Sequence, residues 1–250
     1  MSTVILTGRP GGTTHQAVDL LATLPAELRL IGGLAVMCRV GMPHRATVDL
    51  DAVARDLPSV HPGLASLAVA SPGGGQYTFD GALELDVIDV SGEGADDLAA
   101  VLGWPDAELA DLELNVIAHT WAHDTATPLD LVAVDEVTGA RLAEAPGRLV
   151  ASAPGLVAMK ATTVALRASS KPEKRASDLY DLGRLIETGA LGGDALDSLP
   201  SALRRPIEAR LRSWFVSDRG RDRTFRVVRR FDDPPLDLDD VADRLDTLLT

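Results

Sequence analysis

The stretch that decides the fold reads Leu30-Ile31-Gly32-Gly33-Leu34-Ala35-Val36-Met37-Cys38 and, after a short interval, Arg45-Ala46-Thr47-Val48-Asp49-Leu50-Asp51. An apolar run ending in paired glycines predicts a strand over 28–31. The run after it predicts a helix over 34–40, and the last a strand over 47–52. Residues two apart on a strand share a face, so Asp49 and Asp51 are expected to point the same way. Two like charges held that close are costly unless a cation lies between them, and hard carboxylate oxygens suit Mg²⁺ better than zinc. Gly32 and Gly33 let the backbone approach a phosphate, and the N–H groups opening the next helix can hold it. A metal beside a phosphate cradle implies a nucleotide.

Upstream, Val4-Ile5-Leu6 is followed by Gly8-Arg9-Pro10-Gly11-Gly12-Thr13-Thr14, which lacks the Gly-Lys-Ser/Thr ending of a phosphate loop and reads as a flexible lead-in to a helix over 15–24. Downstream, Pro58, Pro62 and Pro72-Gly73-Gly74-Gly75 predict a loop-rich passage, with 64–70 open between a short helix and a strand. A strand over 82–90 then places Asp86 and Glu84 on one face and Asp89 on the other. An acidic helix is expected over 95–102, and strands over 112–122 and 129–134. His119 and His123 could be read as metal ligands with Asp124, but no third ligand stands at a suitable spacing.

Pro146-Gly147 and Pro154-Gly155 close the strand-rich half and put a lobe boundary near 150, dividing the chain into 1–150 and 151–250. The second lobe reads as helical. Lys160, Val164 and Arg167 fall at i, i+4 and i+7 on one face of a helix over 156–168. A lysine so placed often only snorkels to water. The next helix, Lys174-Arg175-Ala176-Ser177-Asp178-Leu179-Tyr180-Asp181-Leu182, carries Asp178 and Asp181 at i, i+3, a spacing that equally suits a plain solvated face. Further helices are expected over 202–215 and 237–249.

The 46% hydrophobic and 24% charged composition belongs to an ordinary globular protein, with room in 250 residues for one large domain or two modest lobes. No apolar run is long enough to span a bilayer, and 1–21 lacks the pattern of a signal peptide, so no membrane association and a cytoplasmic location are expected. A single cysteine, Cys38, excludes a disulfide framework and a multi-cysteine zinc site. The formal charge of −13 argues against a polyanion partner until its distribution is read. Between 204 and 230, ten arginines stand against three acids, a local +7 that leaves −20 for the rest of the chain. That run is either a cationic track or a solvated face.

Gly32-Gly33-Leu34-Ala35, Arg45 and Thr47-Val48-Asp49-Leu50-Asp51 closely resemble the catalytic motif of the DNA polymerase β-type nucleotidyltransferases, and most of all the AbiEii/MenT group of toxins. The gap between glycines and aspartates is longer here than in compact members. The resemblance continues in order through Asp86, the lysine helix and the Asp178 helix, covering 30–90 and 156–187. It implies an α/β (α+β) fold: a polymerase β-like core with a mixed sheet, then a helical lobe completing the NTP site and the acceptor site. It implies that Asp49, Asp51 and Asp86 hold two Mg²⁺ ions, that Gly32, Gly33, Lys160 and Arg167 contact the NTP, and that Asp178 takes part in catalysis. The group's usual Lys-Asp pair is replaced by Arg175-Ala176-Ser177-Asp178, which leaves the basic partner open between Lys174 and Arg175. The implied reaction moves an NMP from an NTP to an RNA hydroxyl, the 3′ end of tRNA in most of the group, with a cognate antitoxin as partner. Lys174, Arg175, Arg219, Arg221 and Arg223 are the expected acceptor contacts. A protein or small-molecule acceptor, or a nucleotide-binding module without turnover, are the alternatives.

Overall fold

The computed structural model describes residues 2–41, 49–103, 108–167, 171–231 and 234–249; Arg45, Thr47 and Val48 of the opening motif lie outside them. The chain forms two units, 1–92 with 125–152 and 93–124 with 153–250.

Among the described residues the first unit is a mixed eight-stranded sheet, ordered β1-β7-β8-β2-β3-β6-β5-β4, with three α-helices and a 3-10 turn at Asp80–Ala82. Its strands are β1 (Ser2–Gly8), β2 (Arg29–Ile31), β3 (Asp49–Arg55), β4 (Ala70–Gly73), β5 (Gln76–Thr78), β6 (Glu84–Val90), β7 (Thr127–Asp135) and β8 (Arg141–Val150). Parallel pairing joins β1 to β7, β2 to β8 and β3 to β6, and the other pairs are antiparallel. Leu6, Leu21, Leu50, Leu85 and Leu131 are fully buried in it or nearly so, each such side chain stabilising by about 1.5–3 kcal/mol. Arg39 of α2 (Gly32–Val40) ties that helix to the sheet by donating to the carbonyl of Ala151 at 2.8 Å. Where a loop-rich passage is expected, the chain forms α3 (Leu57–Leu67). Pro58 falls in its first turn, where the missing N–H has no intrahelical partner, and Pro62 costs one bond without ending the helix. The strand β8 was hidden by Pro146-Gly147, where Gly147 turns at φ +62° and the pairing with β7 shifts register.

The second unit is helical: α4 (Ala95–Leu102), α5 (Asp111–Asp124), α6 (Ala153–Leu166), α7 (Pro172–Glu187), α8 (Ser201–Leu211), α9 (Asp218–Val228) and α10 (Leu238–Leu248), with a π-helical turn at Arg212–Val216. The expected strand over 112–122 is instead α5. Its buried Leu114, Ile117, Ala118, Trp121 and Ala122 recur at i, i+3, i+4, i+7 and i+8, a helical stripe that packs on α6. The expected boundary near 150 lies beside the Ser152/Ala153 division, while 93–124 groups with the helices because α5 does. Gly183 of α7 receives Leu236, whose side chain would lie 2.4 Å from a Cβ there. Among the described residues no helix is long and apolar enough to cross a membrane.

Candidate functional site

In the first unit the site is built by register. Asp51 on β3 stands between two partners, Ile31 of β2 on one side and Asp86 of β6 on the other, and Asp49 pairs with Glu84. Alternation puts Asp49, Asp51, Glu84 and Asp86 on one face, with Leu50, Ala52, Leu85 and Val87 buried on the other. Asp89 lies on that second face and accepts from the backbone N–H of Leu57 at 3.1 Å.

Directly after Ile31 comes Gly32, at φ +70°, opening α2. A Cβ at Gly32 would lie 2.0 Å from Oδ2 of Asp51, so only glycine leaves room for that carboxylate. The first turn of α2 holds no acidic residue and, among the described residues, no side-chain cap, and its N–H groups and the positive end of the helix lie beside Asp51. The strand-glycine-helix order thus produces a carboxylate face with a helix N-terminus against it.

Asp49, Asp51 and Asp86 are half-buried and Glu84 is exposed. Among the described residues the side chains of Asp49 and Asp86 make no hydrogen bond or ion pair. Carboxylates placed side by side on one sheet face suit a hard divalent cation, although among the described residues no three such side chains converge on one point.

The second unit carries a buried ionic network. Lys160 of α6, only 3% exposed, directs Nζ to Asp178 Oδ1 at 2.9 Å and to Asp181 Oδ2 at 2.7 Å. Asp181 is fully buried, and Asp178 also receives the guanidinium of Arg167. Neither bland reading fits this geometry: Lys160 does not snorkel to water, and the Asp178–Asp181 face is not solvated. The arrangement needs a lysine on one helix and an i, i+3 carboxylate pair on the next. Each component was legible, but the joint use of both aspartates by one lysine was not.

His119 of α5 lies close to this network. Its Nδ1–H donates to the Asn115 carbonyl at 2.8 Å, and the Asn115 amide donates to Thr162 and Thr163 of α6 at 3.0 and 3.1 Å. Burial holds the His119 pKa below the ordinary histidine value, and Arg167 and Lys160 push the same way against the Asn115 carbonyl and Asp178. The imidazole is therefore neutral near pH 7. His123 is engaged instead with Asp124 at 3.2 Å.

The basic run resolves into distinct settings. Arg204 pairs with Glu208 and Asp197, Arg210 with Asp111, and Arg221 with Asp239 at 2.9 Å. Arg219 and Arg223 are exposed and, among the described residues, unpaired, as is Arg226, which the sequence reading did not single out. Lys174 is exposed, whereas Arg175 is half-buried with its Nε lacking a partner among the described residues.

The family model for the nucleotidyl transferase AbiEii toxin of type IV toxin–antitoxin systems matches residues 19–248. No curated protein and no solved structure matches the chain. With that match running from α1 (Thr13–Thr23) to α10, the chain belongs to the AbiEii toxin family and is an NTP-dependent nucleotidyltransferase.

Proposed function

We propose that the protein transfers an NMP from an NTP to an RNA hydroxyl, the 3′ end of tRNA being the acceptor. The observation that carries this reading is the placement of Asp51 over Gly32 and opposite Asp86, with Asp49 on the same face. Asp49, Asp51 and Asp86 are the residues that would hold divalent metal. When bound, Mg²⁺ ions supply acidification of the attacking hydroxyl and neutralisation of the departing pyrophosphate.

The chain's own residues do the rest. Gly32 keeps the Asp51 carboxylate against the opening turn of α2, and the N–H groups of that turn bind phosphate oxygens. Phosphoryl transfer asks mainly for placement and charge compensation, so fixed groups of this kind serve it well. Arg167 is the cation of the helical network that reaches solvent, its side chain being 30% exposed. Lys160 acts behind it, fixing Asp178 so that Asp178 orients the Arg167 guanidinium. In this role Lys160 is a positioning residue.

The RNA acceptor is supported by Arg219, Arg223 and Arg226 of α9, exposed and unpaired among the described residues, in a chain whose net charge is −13. An acidic protein that presents three arginines along one helix steers a polyanion there. Incubation with labelled NTPs, Mg²⁺ and total RNA tests the proposal. Label in a tRNA-sized band supports it. Label only in protein or small molecules would overturn the RNA acceptor, and no transfer at all would overturn the site.

A further inference from the structure

The helix α9 is anchored along one side. Ser217 caps it by accepting from the Gly220 N–H at 3.3 Å, and Gly220 sits so close to the π-helical turn that a Cβ would lie 1.6 Å from the Ser213 carbonyl. Thr224 donates to the Trp214 carbonyl at 2.9 Å, and Val228 is buried. Gly220, Thr224 and Val228 therefore set the inward side at i, i+4 and i+8. Arg219, Arg223 and Arg226, at i, i+4 and i+7, make a stripe on the outward side, spanning about 10 Å at 1.5 Å per residue.

Beside the stripe, Phe225 is 55% exposed, an unusual setting for so large an apolar ring. It lines an open cavity of about 370 Å³ with Leu236 and Leu238, and Arg221, Asp222 and Asp239 supply polar wall. Leu236 is held in place by its seat on Gly183. Two of the cavity's carboxylates are occupied: Asp239 by Arg221, and Asp237 by the N–H groups of Asp239 and Asp240 that it caps. Asp222 has no partner among the described residues.

We infer that α9 is a bipartite site for single-stranded RNA, with phosphates on the Arg219–Arg223–Arg226 stripe and one base stacked on Phe225 in the adjoining cavity. The inference rests on the RNA-acceptor reading above and deepens it. Charge selects this occupant. The cavity's carboxylates repel any anion, so an acidic peptide that satisfied the arginines would find the Phe225 cavity hostile. A nucleotide separates its charge from its ring: the phosphate meets arginine, while a neutral base offers an apolar face to Phe225 and amino or imino N–H groups to Asp222. Aromatic rings accept any base by stacking, and fixed cations track the backbone.

The test is binding of a single-stranded RNA oligonucleotide bearing 2-aminopurine, followed by fluorescence across a salt series, alongside label incorporation into RNA. Phe225→Ala should weaken binding about tenfold and abolish the 2-aminopurine change, with the salt slope kept; Phe225→Trp should restore both. Joint reversal of Arg219, Arg223 and Arg226 to glutamate should flatten the slope by about 2, at roughly 0.7 per single-strand phosphate contact. Because all four side chains are exposed, thermal unfolding should be unchanged. If the arginine reversal weakens binding while Phe225→Ala stays within about twofold of the parent, the base cavity is wrong and the RNA-acceptor reading stands. If the unaltered protein neither binds nor labels RNA, both fall together.

Discussion

Replacing Asp181 by asparagine keeps the shape of α7 but removes one of the two carboxylates that hold Lys160. The ammonium is 3% exposed and Asp181 fully buried, with 2.7 Å between Nζ and Oδ2. Water cannot replace the lost partner there, and breaking a buried pair by removing one member costs about 3–5 kcal/mol. For a chain of this size about 2–4 °C of melting temperature accompanies each kcal/mol, so Tm should fall by roughly 6–20 °C. Asp178→Asn should cost less stability, because it leaves Lys160 and Asp181 as a balanced buried pair and Arg167 is exposed enough to resolvate, whereas in Asp181→Asn the remaining Asp178 is shared between Lys160 and Arg167. Its larger effect should be on transfer, through the loss of Arg167 orientation. The pair Lys160→Met with Asp181→Leu removes both charges and should recover most of the loss, a coupling that a double-mutant cycle measures. A Tm within about 2 °C of the parent for Asp181→Asn alone would refute the reasoning.

Gly32→Ala forces a Cβ into the Asp51 carboxylate and an alanine to φ +70°, costing about 1–2 kcal/mol of backbone strain before the clash. Displacement of Asp51 by about 1 Å should lower turnover about 100-fold, read by steady-state transfer. The pH dependence of stability tests His119. Its folded pKa lies below the unfolded value near 6.5, so the unfolded chain binds the extra proton first and stability falls as pH drops below about 6.5. The slope contributed is at most about 1.4 kcal/mol per pH unit, and His119→Gln should flatten that part of a Tm series between about pH 5 and 7.

Much of the first unit was legible because period and punctuation agree there. Paired glycines between apolar runs place β2 and α2, and alternate carboxylates place β3 and β6. The parallel register that sets Asp51 opposite Asp86 is a long-range property that no local pattern encodes. In α5, β-branched and aromatic residues such as Val116, Ile117, Thr120 and Trp121 imitate a strand, while the i, i+3, i+4 burial stripe carries the helical signal. For α3 and β8 the obstacle was proline and glycine read as breaks, although both elements absorb them. The basic run was visible as charge. Which of its arginines stay free depends on carboxylates elsewhere in the chain, such as Asp111 and Asp239, that only the fold brings near.

The central claim is that the carboxylate face of β3 and β6 carries out the transfer. Asp51→Asn and Asp86→Asn preserve the shape of that face and remove its charge, so each can be compared with the parent for transfer of a labelled nucleotide to RNA in Mg²⁺. Each variant should lose transfer by at least about 100-fold. Melting temperatures without metal should be unchanged or raised, since adjacent like charges are relieved. Turnover near the parental rate in either correctly folded variant would contradict that claim.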